Sequence, residues 1–271
     1  YQRFDALGTF RALEGGVAPE AVLARIVATA LAAYTLWLTG KPDLAVTLVQ
    51  RGYEAAEAVN DPWERAALLS DWATVHAWRR EPAKAKELAQ RSLELATPGA
   101  FGLWTRRADL VLRWAEAELE PSIAESRADE LLSKPWEGVS FGRMMPVLLF
   151  AAMSARVGRT DQALNLLSEA LASIAQNEER WLEPELHRLR GEILRPTDPA
   201  EAERAVTTAL ELAREQSSRS LELRAALSLH ALSTGAKKKR ARDDVARALA
   251  GITGGADAPD VALARKVVGG K

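Results

Sequence analysis

Tyr34, Trp37 and Trp78, with Arg106, Asp109, Arg113, Arg156, His187 and Arg195, are the side chains of this 271-residue chain whose types could build a recognition surface. Tyr, Trp and Arg dominate the binding energy of many interfaces, because each combines a large contact area with a polar handle. No catalytic constellation is legible beside them. The histidines His76, His187 and His230 are far apart and form no i,i+4 pair, and the chain has no cysteine to complete a zinc set. No glycine loop leads through a Lys-Ser/Thr pair into a helix to cradle a phosphate, and no Gly-x-Ser-x-Gly turn presents a nucleophile. Carboxylate neighbours such as Glu178 and Glu179 have ordinary surface context. Lys237-Lys238-Lys239-Arg240 with Arg242 is the one dense basic run; short and without interleaved aromatics, it reads as a solvated face rather than a phosphate grip. These residues point to binding without catalysis, with no metal and no cofactor, and nucleic acid is not an expected partner.

What must position such residues is an array. Ala45, Ala85, Ala124, Ala163, Ala202 and Ala241 recur at spacings of 40, 39, 39, 39 and 39 residues. Small or short residues recur around them, seven positions later in Gly52, Ser92, Ala170, Ala209 and Ala248, and twelve earlier in Ala33, Ala73 and Ala151. Small residues at fixed offsets mark close helix crossings, where a larger side chain would hold two backbones apart. Turn-and-start segments precede most ladder alanines, as in Gly40-Lys41-Pro42-Asp43 and Asp198-Pro199-Ala200-Glu201, and proline in the first helical turn loses no hydrogen bond there. No alternating segment predicts a strand.

The pattern predicts an all-α array of six helix pairs over 20–250, then a Gly-rich break and a short capping helix over 257–268, the whole chain being a single repeat domain. First helices are expected over 20–38, 62–79, 102–118, 142–157, 181–194 and 219–233. Their partners are expected over 42–58, 82–96, 121–133, 160–176, 199–215 and 238–250. Asp61-Pro62-Trp63-Glu64 and Asp198-Pro199-Ala200-Glu201 read as capping boxes. A Lys134-Pro135-Trp136-Glu137-Gly138 break after the third pair reads as a bend. Projected from the ladder register, the concave lining comprises Val27, Ala30, Tyr34, Trp37 and Leu38, then Ala67, Ser70, Thr74, Ala77 and Trp78. It continues through Arg106, Asp109, Arg113 and Glu116, then Met145, Leu148, Ala152 and Arg156, and ends in His187, Leu194 and Arg195. The same register allows Trp37 and Trp78 to fill gaps between neighbouring pairs instead, and allows the arginines to pair locally with Asp109 and Glu116.

Thirty-six basic against 37 acidic residues leave a net charge of -1, so no global field draws the molecule to nucleic acid or anionic lipid. Hydrophobic residues make up 48%, above the disordered range, and no apolar run reaches the ~18 residues of a membrane span. The absence of cysteine fits a reducing compartment. The chain opens at Tyr1 with no charged-then-apolar leader, and Ala6 lies 39 residues before Ala45, so a fragment of a longer protein is expected.

The small-residue offsets resemble the tetratricopeptide repeat over about 230 residues. Tyr34, Trp37 and Gly40 match that family's aromatic-then-glycine lettering, whereas the period of 39 exceeds its usual ~34. The block Trp181-Leu182-Glu183-Pro184-Glu185-Leu186-His187-Arg188-Leu189-Arg190-Gly191-Glu192, with Asp198-Pro199-Ala200-Glu201 and Ser220-Leu221-Glu222-Leu223-Arg224, resembles the C-terminal repeat region of large bacterial signalling ATPases linked to cyclase, kinase or transcription-activator effectors. The resemblance implies a right-handed superhelix and a cytoplasmic sensory or docking arm. Its partner would be a protein or peptide segment in the concave groove, or a neighbouring domain of the parent chain. A small-molecule sensor using the same groove and an oligomerisation arm are the two alternatives.

Overall fold

Proline opens most of the helices. In the computed structural model, which describes residues 19–126, 129, 144–177 and 179–270, Pro42, Pro62, Pro82, Pro121, Pro199 and Pro259 each stand at a helix start. The helices are α1 (Pro19–Leu38), α2 (Pro42–Val59), α3 (Pro62–Trp78), α4 (Pro82–Ala96), α5 (Gly102–Leu119), α6 (Pro121–Ser126) and α7 (Met144–Arg156). They continue as α8 (Thr160–Asn177), a 3₁₀ turn (Arg180–Leu182), α9 (Glu183–Leu194), α10 (Pro199–Glu215), α11 (Arg219–Leu232), α12 (Gly235–Ala250) and α13 (Pro259–Gly269). No strand occurs among the described residues. The expected bend at 134–138 and the end of the third pair beyond 126 lie outside them.

Helix ends follow local chemistry. Asp61 caps α3 by accepting from the backbone N–H groups of Trp63 (2.9 Å) and Glu64 (3.2 Å), and Asp198 caps α10 by accepting from Glu201 N–H at 2.9 Å. The reciprocal half of the capping boxes is not the use made of either glutamate. Glu64 is buried and takes Arg25 Nε at 2.7 Å, and Glu201 pairs with Arg204 at 2.7 Å. A buried carboxylate gains more from a guanidinium than from one backbone N–H, so at Glu64 the tertiary partner wins, while Glu201 pairs within its own helix.

The ladder alanines are the crossing points: all six are at most 3% exposed. Gly191 shows how close a crossing is, since a Cβ there would lie 2.5 Å from Val206 Cγ2 and 2.8 Å from the Ala202 carbonyl oxygen. Adjacent helices pack throughout, and a second pattern links alternate ones. α1 touches α3, α3 touches α5, α5 touches α7, α7 touches α9 and α9 touches α11. α11 then touches α1, so the six first helices form a closed circuit, with the even-numbered helices outside. This differs from an open concave groove. α3 and α11 carry neighbours on nearly every face, which is why Ser220 to Ser228 are buried without a break.

Candidate functional site

The circuit closes on backbone carbonyls at helix ends. The carbonyl oxygen of Trp37, in the last turn of α1, accepts from Ser220 Oγ at 2.5 Å, and that of Trp78, at the end of α3, accepts from the Arg224 guanidinium. C-terminal carbonyls have no intrahelical partner and carry partial negative charge, so a hydroxyl and a cation suit them. Arg224 also lies over the Trp37 ring, 4.9 Å from its centroid. Downstream, Thr253 N–H donates to the Gly40 carbonyl and Gly255 N–H to Asp43 Oδ2, both at 2.7 Å. Asp43 in turn pairs with Arg79 at 3.0 Å. Gly40 has φ +82°, and a Cβ would sit 2.7 Å from the Gly251 carbonyl, so the turn between α1 and α2 and the residues after α12 meet backbone to backbone.

Behind this seam runs a chain of alternating charges: Glu192, Arg188, Glu185, Arg224, Asp260 and Arg80. Arg188 grips Glu185 with both arms of its fork (2.8 and 2.9 Å) and also pairs with Glu192. Arg224 contacts Glu185 at 3.3 Å and Asp260 at 2.7 Å, and Asp260 reaches Arg80 at 3.4 Å. Burial alone would raise the Glu185 carboxyl, but Arg188 and Arg224 outweigh it and hold it at about 2. Burial opposes the charged forms of Glu192 and Asp260 in the same way. Arg188 and Arg80 still bring Glu192 below the ordinary carboxylate range, and Arg224 and Arg80 do the same for Asp260. Burial lowers the Arg80 guanidinium, with Asp260 pulling it back up.

The circuit surrounds a lumen of about 620 Å³. Its apolar lining includes Trp114, Met145, Leu148, Leu149, Ala152, Ala155, Leu189 and Ile193. Trp37 and Trp78 form an aromatic corner, their ring centroids 5.0 Å apart. Its charged lining comprises Arg80, Glu185, Arg188, Glu192 and Arg224, with an ion pair between Arg156 and Glu118 at the ends of α7 and α5. Beneath the aromatic corner, Tyr34 packs on Trp78 at 4.5 Å and donates its hydroxyl hydrogen to Asp71 Oδ1 at 2.8 Å. Arg107 donates to both, at 2.8 Å to Tyr34 Oη and 2.6 Å to Asp71. Burial raises the Asp71 carboxyl against the pull of Arg107, and its Oδ2 has no partner among the described residues.

Of the residues projected onto the groove, Trp37, Trp78, Arg156, Ala77, Met145, Leu148 and Ala152 line the lumen. Tyr34 supports it from below. Arg106 is exposed, and Asp109 pairs with Arg113 on α5 itself at 2.9 Å, the local pairing the sequence allowed; none of the three reaches the lumen. His187 is half-buried away from it; burial lowers its imidazole, while Glu183 opposes that shift. Arg195 is exposed beyond the end of α9. The alanine ladder tracks crossings within pairs, and extrapolating it around a closing circuit rotates the projected face. Sequence reasoning left out Arg80, Trp114, Glu118, Glu185, Arg188, Glu192 and Arg224. A signal was present: Glu185, Arg188 and Glu192 follow helical spacing along a stripe that Leu182, Leu186 and Leu189 make apolar, and Arg224 interrupts Leu221, Leu223 and Leu227. Charge on a buried stripe demands partners.

Among the described residues no cluster of three or more His, Cys, Asp or Glu is placed to hold a metal ion, and no helix is long and apolar enough to cross a membrane. The chain matches no protein-family model and no curated protein.

Proposed function

We propose that this chain is a non-catalytic ligand-binding module, in which the lumen holds a compact small molecule and the closed circuit reports its presence. One observation carries the reading: the six first helices close around about 620 Å³ with a mostly apolar lining into which α5, α7, α9, α11 and the turn after α3 bring charged groups. That volume falls within the ~300–1,000 Å³ of small-molecule sites, which pair a mostly apolar lining with a few placed polar groups. A folded partner does not fit it, so a peptide partner enters only as a short extended segment. The array is of tetratricopeptide type, six pairs wound right-handedly, and the module is the sensory arm of a cytoplasmic bacterial signalling protein; the offsets around the ladder alanines support this assignment. Filling the lumen tests the function. Ala155→Trp and Ala152→Phe should abolish the quenching of tryptophan fluorescence by small molecules of graded charge and polarity, at little cost in melting temperature. Failure of every such molecule to bind the unaltered protein ends the sensor reading.

The alternative of an oligomerisation arm is favoured by one feature. Leu23 (45% exposed), Val27 (39%, projected from sequence onto the groove but not lining the lumen) and Leu31 (41%) stand one turn apart on one exposed stripe of α1. Under that reading Val27→Asp abolishes a concentration-dependent dimer in sedimentation without lowering the melting temperature.

A further inference from the structure

Resting on the lumen as a small-molecule site, we infer that its ligand is a zwitterion with an apolar body, an α-amino acid or a short peptide with free termini. Its carboxylate would accept from Arg80 and its ammonium would donate to Glu192.

The alternating chain of charges is balanced. Its interior members Glu185, Arg188, Arg224 and Asp260 are 5–14% exposed and neutralise one another. The two ends differ. Arg80 is 39% exposed and its one ion pair, to Asp260, is loose at 3.4 Å, while Glu192 is 43% exposed; both line the lumen. Glu192 feels the charge of Arg80, while Arg80 is paired with Asp260, and Glu192 with Arg188 and Ser228. A half-exposed cation and a half-exposed anion thus face a common space, each with a protein partner on its other side, and the alternating chain they terminate is neutral as a set. A ligand of single charge would satisfy one and leave the other repelled, whereas a zwitterion satisfies both. Trp37, Trp78 and Trp114 supply the surface for an apolar side chain.

A second observation comes from the backbone. Arg80 stands five residues before ladder alanine Ala85, the position that Gly40 and Gly158 occupy before Ala45 and Ala163. All three adopt left-handed backbone, with φ +59° at Arg80, +82° at Gly40 and +77° at Gly158. Glycine takes this conformation freely and arginine does not. Asn60, Ala100 and Ser217 take the same conformation beyond other helices, and of these four non-glycine residues Arg80 is the one that lines the lumen, where retained strain points to use.

The test is calorimetric titration of the unaltered protein with leucine, phenylalanine, tryptophan, leucyl-leucine and phenylalanyl-phenylalanine. 3-Phenylpropanoate and 2-phenylethylamine serve as single-charge counterparts. The amino acids and the dipeptides separate the two sizes of ligand. A zwitterion should bind about tenfold or more tightly than either counterpart, the value of one charge-assisted hydrogen bond. Arg80→Gly should remove that preference while leaving the melting temperature unchanged or higher, because it restores the residue that suits the backbone; Glu192→Gln should weaken zwitterions and leave 3-phenylpropanoate binding intact or improved. If a single-charge counterpart binds as well as every zwitterion, or Arg80→Gly binds zwitterions normally, the inference is overturned while the lumen stands as a site. If nothing in the set or in the graded panel binds, both readings fall.

Discussion

Arg224 concentrates more of the closure than any other side chain: it joins the Trp78 carbonyl, the Trp37 ring, Glu185 and Asp260 while only 5% exposed. Arg224→Ala leaves Asp260 with only the loose contact to Arg80 and Glu185 with Arg188 alone, and breaking a buried pair by removing one partner costs about 3–5 kcal/mol; melting curves check it. Arg224→Lys should recover only part of the loss, since an ammonium cannot reproduce the planar fork or lie flat on an indole. The same network sets an acid limit. Glu185, Glu192 and Asp260 have folded values below their ordinary ones, so their stabilisation is complete above the usual carboxylate value of about 4.3. It is lost as pH falls from there through the Glu185 value of about 2. The melting temperature should drop across that window, and Glu185→Gln should flatten the decline while lowering the plateau. An unchanged acid limb would mean that the chain of charges contributes nothing net.

At the scale of the helix, the spacing of small residues decides which elements meet. Ala163 is fully buried where α8 crosses α7, so Ala163→Leu should cost about 1–3 kcal/mol through backbone displacement. Gly191→Ala, a smaller change, should be comparably costly, because its Cβ meets both a side chain and a carbonyl of α10 within 2.8 Å. Denaturant midpoints compare the two, and a neutral Gly191→Ala would show that α9 and α10 slide freely. The helices were legible for the same reasons that make these predictions possible. Proline at the first turn, an acceptor before it and glycine beyond the end are local signals, and the expected ends of α1, α4 and α10 differ from the observed ones by no more than a residue. α12 begins at Gly235, three residues before the expected 238, since its start carries neither proline nor a side-chain cap. The lining of the lumen was legible where apolar register sufficed, as at Trp37, Trp78 and Leu148. It was not legible at Arg188 or Arg224, whose burial depends on partners from other helices that no local period announces.

Closure belongs to the whole molecule. The bonds that make it join Trp37 to Ser220, Gly40 to Thr253 and Asp43 to Gly255, separations of 183 to 213 residues, and a repeat period fixes neighbours but not where an array returns to its start. Residues 251–269 read from sequence as a cap that shields the last apolar face. The structure gives them a second task, because Thr253 and Gly255 bind the turn between α1 and α2 while Asp260 neutralises Arg224 and Arg80. Removing 251–271 should therefore raise amide exchange at both ends of the chain, in α12 beside the cut and around residues 37–43 and 78–80 on the far side of the seam. A cap alone would affect α12 only. Asp43→Ala separates the two roles without shortening the chain, since it deletes the acceptor of Gly255 and one of the two partners of Arg79 among the described residues, the other being Glu81, and leaves α13 in place. Asp43 is largely exposed, so the cost in global stability should be about 1 kcal/mol. Exchange at Gly255 and in the α1–α2 turn should nonetheless rise well beyond what that cost would produce uniformly. Protection that falls evenly over all helices would mean that the seam opens only with global unfolding, and that a bound ligand has no local equilibrium there to shift.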